Sequence, residues 1–472
     1  MGRLRRIRQG GGARSLLREA SDRRQVRDEE GDSASVSRDF HIPSSGAPAE
    51  RAFLVGVQLP GGSRESEEEN LDELALLAET AGAEVVGRAV QSRTRIDGST
   101  FIGAGKLEAI AREARDRNVN LIVFDDDLSP AQARNIEKRL EVNVIDRTEL
   151  ILDIFARRAR TRQARIQVEI AQLRYALPRL RRLWEHLSRQ AGGIGTRGPG
   201  ETQLEVDRRR VRERIAKLKK ELTTIDRRVV ERAKQRRTLF NAAIVGYTNA
   251  GKSTLLNRLA GSRVLQSSRL FSTLDSTTRR IENPGARPFL LTDTIGFIRK
   301  LPPHLVESFR ATLRDVREAD LLLHLVDISH PRHEEQAEVV GRVLEEVLGE
   351  EAAERTDTIL VLNKTDLLEN EAARRGAAAS HPGAVLVSAA TGEGVPRLLE
   401  LIGRFAERDT VRVVVEVDAE DGRAVAAVER SGEVRERLIE GAVMRFEIDV
   451  KRRDVAALES LGTVVVKLVD PR

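Results

Sequence analysis

The chain has 472 residues, with 80 Lys and Arg against 74 Asp and Glu for a formal net charge of +6, and no cysteine. That length exceeds what one hydrophobic core supports, so about two to four domains are expected, and the missing cysteines exclude a disulfide framework and thiolate metal sites. No apolar stretch approaches the roughly 20 residues of a membrane span, the seven histidines show no metal-ligand spacing, and no periodic repeat is visible.

Residues 1–50 are rich in Arg, Gly, Ser and Asp with few apolar positions, the composition of a disordered tail. The first 27 hold nine Arg and two acids, the bias of an organellar transit peptide. Asp28, Glu29, Glu30 and Asp32 follow at once, however, so a basic tail is the expectation. From 51 to 155 the chain alternates: Phe53–Val57, Glu84–Val90, Leu121–Phe124 and Val142–Ile145 read as strands, and Leu71, Leu74, Leu77 and Ala78 mark a helix face. A small α/β domain with a mainly parallel sheet follows. Gly103-Ala104-Gly105-Lys106 lacks a full phosphate loop and reads as the turn that starts a helix.

The next segment, 156–238, is predicted to be a basic helical hairpin. Residues 156–237 carry 25 Lys and Arg against 9 Asp and Glu, a net of +16 that leaves −10 for the rest of the chain. Ile166, Ile170, Leu173 and Leu177 mark one amphipathic helix, with Pro178 ending or kinking it. Val211, Ile215, Leu218, Leu222 and Ile225 mark a second, and a glycine-rich tip with Arg197 joins them. A solvated linker or self-satisfied coiled coil usually alternates charge sign. Clustered Arg and Lys instead favour phosphate contacts and salt-sensitive nucleic-acid binding, with structured RNA the natural partner of a shape-reading arm. Tyr175 and Trp184 are the module's only Tyr and Trp, and it has no Phe, so base stacking is not the expected mode.

Residues 239–406 carry the chemistry. Asn241–Val245 reads as a buried strand, Gly246-Tyr247-Thr248-Asn249-Ala250-Gly251-Lys252-Ser253 as a phosphate loop, and the stretch from Thr254 to Leu259 as the helix after it. In that context backbone N–H groups surround the phosphates, Lys252 reaches the β/γ-phosphates and the Ser253 hydroxyl ligates magnesium. Asp293-Thr294-Ile295-Gly296 follows the apolar run Phe289–Leu291, where Asp293 can hold the magnesium shell through water and the Gly296 N–H can face the γ-phosphate. Asn363-Lys364-Thr365-Asp366 follows the strand Thr358–Leu362. Asp366 can accept from guanine N1 and N2, a pairing adenine cannot make, and a site built around a buried carboxylate rejects the analogue that leaves it unpaired. Ser388-Ala389-Ala390, after the strand Ala384–Val387, supplies backbone donors for the guanine carbonyl. Each pattern alone is an ordinary turn; four in order at strand ends predict a GTP site. Between loop and Asp293, the γ-phosphate switch needs a Thr, and Thr273, Thr277 and Thr278 all offer a hydroxyl. Residues 407–472 read as a small α+β unit of βαββαβ order, with a packing or docking role.

These residues resemble the HflX family of translational GTPases, within the Obg/HflX group. The resemblance covers roughly residues 51–405. Its specific element is Gly192-Gly193-Ile194-Gly195-Thr196-Arg197-Gly198-Pro199-Gly200-Glu201-Thr202-Gln203-Leu204-Glu205, supported by Phe101-Ile102-Gly103-Ala104-Gly105-Lys106 in the amino-terminal domain. It implies a nucleotide switch over Phe271-Ser272-Thr273-Leu274-Asp275, with Thr273 the magnesium-binding Thr and Lys252, Thr273 and Gly296 the catalytic set. It also implies a cytoplasmic, monomeric GTP hydrolase that binds the large ribosomal subunit and its RNA, near the peptidyl-transferase centre, and splits stalled or idle ribosomes. Peripheral membrane association is a further implied location, and a ribosome assembly factor using GTP as a timer is the alternative role. Phe297 stands where many GTPases place a water-orienting Gln, which predicts slow intrinsic turnover raised by a partner unless a switch residue such as Thr294 orients the water. Asn249 resembles the potassium-ligating Asn of some related GTPases, so K⁺ joins Mg²⁺ as an expected cofactor; a loop-stabilising Asn is the competing reading.

Overall fold

The structure is a computed structural model that describes residues 50–180, 200–234, 239–261, 270–271, 275–283, 286–300, 314–349, 356–459 and 465–468. Strands β1 (Arg51–Gln58), β2 (Glu84–Ser92), β3 (Leu121–Phe124) and β4 (Asn143–Asp146) form an all-parallel sheet in the order β2-β1-β3-β4. Parallel pairing requires crossovers, supplied by helices α1 (Arg64–Ala81), α2 (Ala104–Asp116) and α3 (Pro130–Leu140). Helix α1 starts at Ser63, whose hydroxyl accepts from the Ser66 N–H, and stops at Gly82 in the left-handed region at φ +97°. Its face of Leu71, Leu74, Leu77 and Ala78 is wholly buried. Gly103 lies in an extended conformation directly before α2, the helix-starting role its sequence suggested.

Helix α4 (Arg147–Arg158) follows β4 at once, capped by Asp146. It runs across residue 155, where composition placed a domain boundary, and buried Leu150, Ile151, Leu152, Ile154 and Phe155 hold it as one piece. Helix α5 (Arg162–Ala176) then packs on α6 (Gly200–Lys234). Ile166, Ile170 and Leu173 meet Val211, Leu218, Ile215, Leu222 and Ile225 in a cluster of their own. Pro178 tightens the chain into one 3₁₀ turn, Leu177–Arg179, and Leu180 is helical again. The glycine-rich tip and Trp184 lie outside the described residues.

The third layer is a six-stranded sheet of β5 (Phe240–Gly246), β6 (Thr277–Ile281), β7 (Phe289–Asp293), β8 (Leu321–Asp327), β9 (Asp357–Asn363) and β10 (Val385–Leu386). Its order is β10-β9-β8-β5-β7-β6, parallel except for the edge strand β6. Strand β6 was hidden in the sequence because of its five residues only Ile281 is buried, as edge strands tolerate. Helix α7 (Lys252–Leu259) follows the loop after β5; α8 (His333–Leu348), α9 (Glu371–Ser380) and α10 (Val395–Arg408) complete this domain's main helices. The last unit has strands β11 (Thr410–Asp418), β12 (Gly432–Glu440), β13 (Val443–Lys451) and β14 (Val465–Leu468) in antiparallel order β12-β13-β11-β14, with helices α11 (Gly422–Ser431) and α12 (Val455–Glu459). It is fastened to the amino ends of the central strands. Asp320, beside the start of β8, accepts from Lys451 Nζ at 2.5 Å, and its carboxylate also takes the Asn241 N–H at 2.9 Å.

At the α4–α5 junction, the Tyr175 hydroxyl donates to Glu149 Oε2 at 3.1 Å. Burial, then the Asp146 charge, push the Glu149 carboxyl up to about 7. An acid raised on folding contributes stability that is complete below its unfolded pKa and is lost as pH rises through the folded one, here from about 4.5 to about 7. Glu149→Gln, which mimics the neutral form, should therefore gain on the order of 2–3 kcal/mol at pH 8 and nothing at pH 4. Urea unfolding at the two pH values measures this; an equal effect at both would show that ionisation of Glu149 is not the cause.

Candidate functional site

The carboxyl ends of β5, β7 and β9 bring the motifs together because parallel strands finish at one edge of the sheet. Gly251 starts α7 at φ +95°, and a Cβ there would lie 2.3 Å from Asn363 Nδ2, so a side chain is excluded twice over. Lys252 is buried, its Nζ donating to Gly246 O at 3.1 Å and Tyr247 O at 2.7 Å. Burial pulls its pKa down to about 8, against the pull of Asp293. The Ser253 hydroxyl donates to Asp293 Oδ2 at 2.6 Å. A Cβ on Gly296 would lie 3.0 Å from Lys252 Nζ and 2.8 Å from Thr248 Cγ2, so the Asp-x-x-Gly turn closes on the loop to within backbone contact. Two backbone bonds hold that approach: Thr248 N to Phe297 O at 2.7 Å, and Phe297 N to Gly246 O at 3.2 Å. Ala250 and Ile295 are buried within it. Thr254 is half-buried in the first turn of α7, and Asn249 is exposed at φ +62°.

Phe297 is 1 % exposed, an apolar wedge under the loop. Thr294 is wholly buried and its hydroxyl donates to Ile244 O at 2.7 Å. The loops after β5 and β10 are tied by a residue that motif reading did not single out. Asn363 Nδ2 donates to Ala250 O at 2.7 Å, and its Oδ1 accepts from Ala389 N at 2.9 Å. Lys364 adopts φ +64° and pairs with Asp327 at 2.6 Å, and Thr365 N donates to Val387 O at 3.3 Å. Asp366 is exposed rather than buried. Of the expected donors, Ser388 N donates to Glu393 O at 2.9 Å and Ala389 N to Asn363 Oδ1 at 2.9 Å. The carbonyls of Ala389 and Ala390 receive the Arg258 guanidinium.

The switch expectation divides. Ser272, Thr273 and Leu274 lie outside the described residues. Phe271 and Asp275, expected at the nucleotide, are engaged elsewhere. Phe271 is buried at φ +52° with its ring edge-on to Phe155 of α4, centroids 4.7 Å apart. Asp275 accepts the N–H groups of Arg160 and Thr161, each at 3.0 Å, at the start of α5. No local spacing announces such contacts between positions more than a hundred residues apart. Thr278 Oγ1 lies 3.0 Å from Thr292 Oγ1, spent between strands, while Thr277 is exposed on β6. The histidines also gather more than their spacing suggests: ligand atoms of His333, Glu334 and His381 lie within 4.8 Å of one another.

Residues 68–156 match the family described as "GTP-binding GTPase N-terminal", 158–236 "GTP-binding GTPase Middle Region" and 241–364 "50S ribosome-binding GTPase". A protein named GTPase HflX from Flavobacterium psychrophilum is 49 % identical over 317 residues, 67 % of this chain and 76 % of that protein. Another of that name from Magnetococcus marinus is 45 % identical over 386 residues, covering 80 % and 87 %. A crystal structure of a GTP-binding protein from Sulfolobus solfataricus in complex with GDP aligns at TM-score 0.40 and 24 % identity, over 76 % of this chain and 99 % of that one. Phosphate loop, Asp-x-x-Gly turn and base-recognition turns on one sheet edge make this a P-loop GTP hydrolase. With relatives of this identity and extent, the chain belongs to the HflX family of GTPases.

Asn363→Ala would strand the Ala250 carbonyl and the Ala389 N–H, both buried. The expected cost is about 2–4 kcal/mol in urea unfolding, with GDP affinity falling in parallel by calorimetry. Unchanged stability would mean that the loops are held by other contacts.

Proposed function

We propose that this GTPase docks on the large ribosomal subunit through the α5–α6 pair and, in its GTP-bound form, splits stalled or idle ribosomes into subunits. The observation that carries the reading is the outer surface of α6, where Arg209, Arg210, Arg212, Lys217, Lys219, Lys220 and Arg227 are all exposed. Among the described residues, cross-pair contacts such as Arg162–Glu221 at 2.9 Å and Arg214–Glu169 at 2.8 Å leave those seven exposed groups facing outward. The remaining charge suits the phosphates of folded RNA, whose counterions it would release. The description "50S ribosome-binding GTPase" of the family matched by residues 241–364 agrees with that partner. The physical route is differential binding: GTP orders the switches, the ordered form binds the subunit better, and hydrolysis releases it.

Within the site, Asp366 reads guanine N1 and N2, gaining its burial from the base, and Lys252 and the loop N–H groups hold the phosphates. Ser253 and Asp293 fit magnesium, because a hydroxyl and a carboxylate already 2.6 Å apart are the hard oxygen donors that ion prefers, and family resemblance adds Thr273 to them. When bound, the ion neutralises charge developing on the phosphate oxygens. The Gly296 N–H faces the γ-phosphate. With Phe297 in place of a water-orienting amide and Thr294 committed to β5, neither residue aligns water, and the subunit completes the site. Among the described residues no helix is long and apolar enough to cross a membrane. The chain works as a monomer in the cytoplasm, at ribosomes.

Purified large subunits should raise GTP turnover at least tenfold at low salt, by roughly the margin a supplied catalytic group gives, and lose most of that effect when salt is raised. No stimulation would remove the ribosome as activator. Stimulation by precursor particles alone would shift the role to assembly. The exposed Asn249 carbonyl makes a K⁺ ligand, so hydrolysis should run faster in potassium than in sodium chloride; equal rates would leave Asn249 as a loop residue only.

A further inference from the structure

Tyr247 has a side chain for which its backbone role in the phosphate loop gives no reason. It turns away from the loop and is buried against the amino-terminal domain, 5 % exposed. Its hydroxyl donates to Glu73 Oε2 on α1 and accepts the Arg299 N–H at 2.7 Å. Burial, then the Glu73 carboxylate, push the phenol up from its usual value, so it stays a neutral donor. Glu73 is itself held by Arg147, the first residue of α4. The Arg147 guanidinium also bonds Asp125 Oδ1 at 2.7 Å and returns to Arg299 O at 3.0 Å. Lys300, at φ +50°, closes the network with Nζ 2.6 Å from Asp125 and 2.8 Å from Asp126. Both backbone polar groups of Arg299, three residues beyond Gly296, are thus fixed by groups outside its own segment.

We propose that Tyr247 is a positioning residue for GTP hydrolysis: with Glu73 and Arg147 it fixes the segment after the Asp-x-x-Gly turn against the phosphate loop, so that the Gly296 N–H is held where the γ-phosphate must sit. The amino-terminal domain thereby supplies part of the geometry of a site to which it gives no ligand. Pre-set geometry of this kind lowers the barrier without tightening the ground state. The effect belongs in kcat. GDP, which has no γ-phosphate for Gly296 to face, binds independently of it.

The proposal rests on the phosphate-loop reading, and the two fail separately: Lys252→Ala that keeps wild-type turnover would overturn the loop. In full-length protein that Lys252→Ala inactivates, Tyr247→Phe should lower kcat about tenfold, leaving KM for GTP and affinity for GDP within about twofold. Glu73→Gln, made in the other domain, should give the same fall, and the double variant should be no slower than either single one, as coupled groups require. Tyr175→Phe removes another buried tyrosine-to-glutamate bond, between α5 and α4, and should keep wild-type kcat. The proposal is overturned if Tyr247→Phe retains full kcat, if kcat and GDP affinity fall together, or if the two losses multiply. Should Tyr247→Phe not fold, Glu73→Gln decides alone by the same kcat, KM and GDP readouts.

Discussion

The arrangement of the first and third layers depends on Arg147. Its guanidinium is 3 % exposed, and a cation removed from water so completely persists only if carboxylates surround it. Burial works against its charge, but Asp125 and Glu73 more than offset this and hold its pKa above the ordinary value. Two carboxylates for one guanidinium leave negative charge over, and Lys300 of the central domain answers it. Neither domain is electrostatically complete alone. Glu69 of α1 repeats the pattern, bonded to Arg332 at 2.7 Å and 3.8 Å from Arg299 of the central domain.

Once the first domain is locked against the loop, Leu270 N finds Thr80 Oγ1 at 3.2 Å, Phe271 finds Phe155, and Asp275 finds the start of α5. Leu270, Phe271 and Asp275 are thereby in contact with α1, α4 and the start of α5. Asp275 touches the first turn of the helix whose apolar face holds α6.

What the sequence disclosed and what it withheld follow from range. Strands β1, β5 and β9 were legible because buried parallel strands read as unbroken apolar runs. The phosphate loop was legible because its chemistry sits in eight consecutive residues. Strand β6 was not, since an exposed edge leaves no apolar signature. Asn363 was read only as part of a motif, although its amide joins positions 250, 363 and 389. Tyr247 was read as part of the phosphate loop, and Phe271 and Asp275 by resemblance as part of the switch, while their side chains contact residues 73, 155 and 160–161. Backbone roles travel with local sequence, and side-chain roles depend on what the fold brings alongside.

Strand β5 acquires a mechanical meaning from its two ends. Its seven residues span roughly 20 Å. At one end Asn241 shares Asp320 with Lys451 of the last domain; just past the other, Tyr247 grips the first. The strand is a strut clasped by a different domain at each end. Cutting the protein down to its nucleotide-binding portion would release both clasps at once, so the excised piece would be an altered machine rather than a smaller copy of the whole.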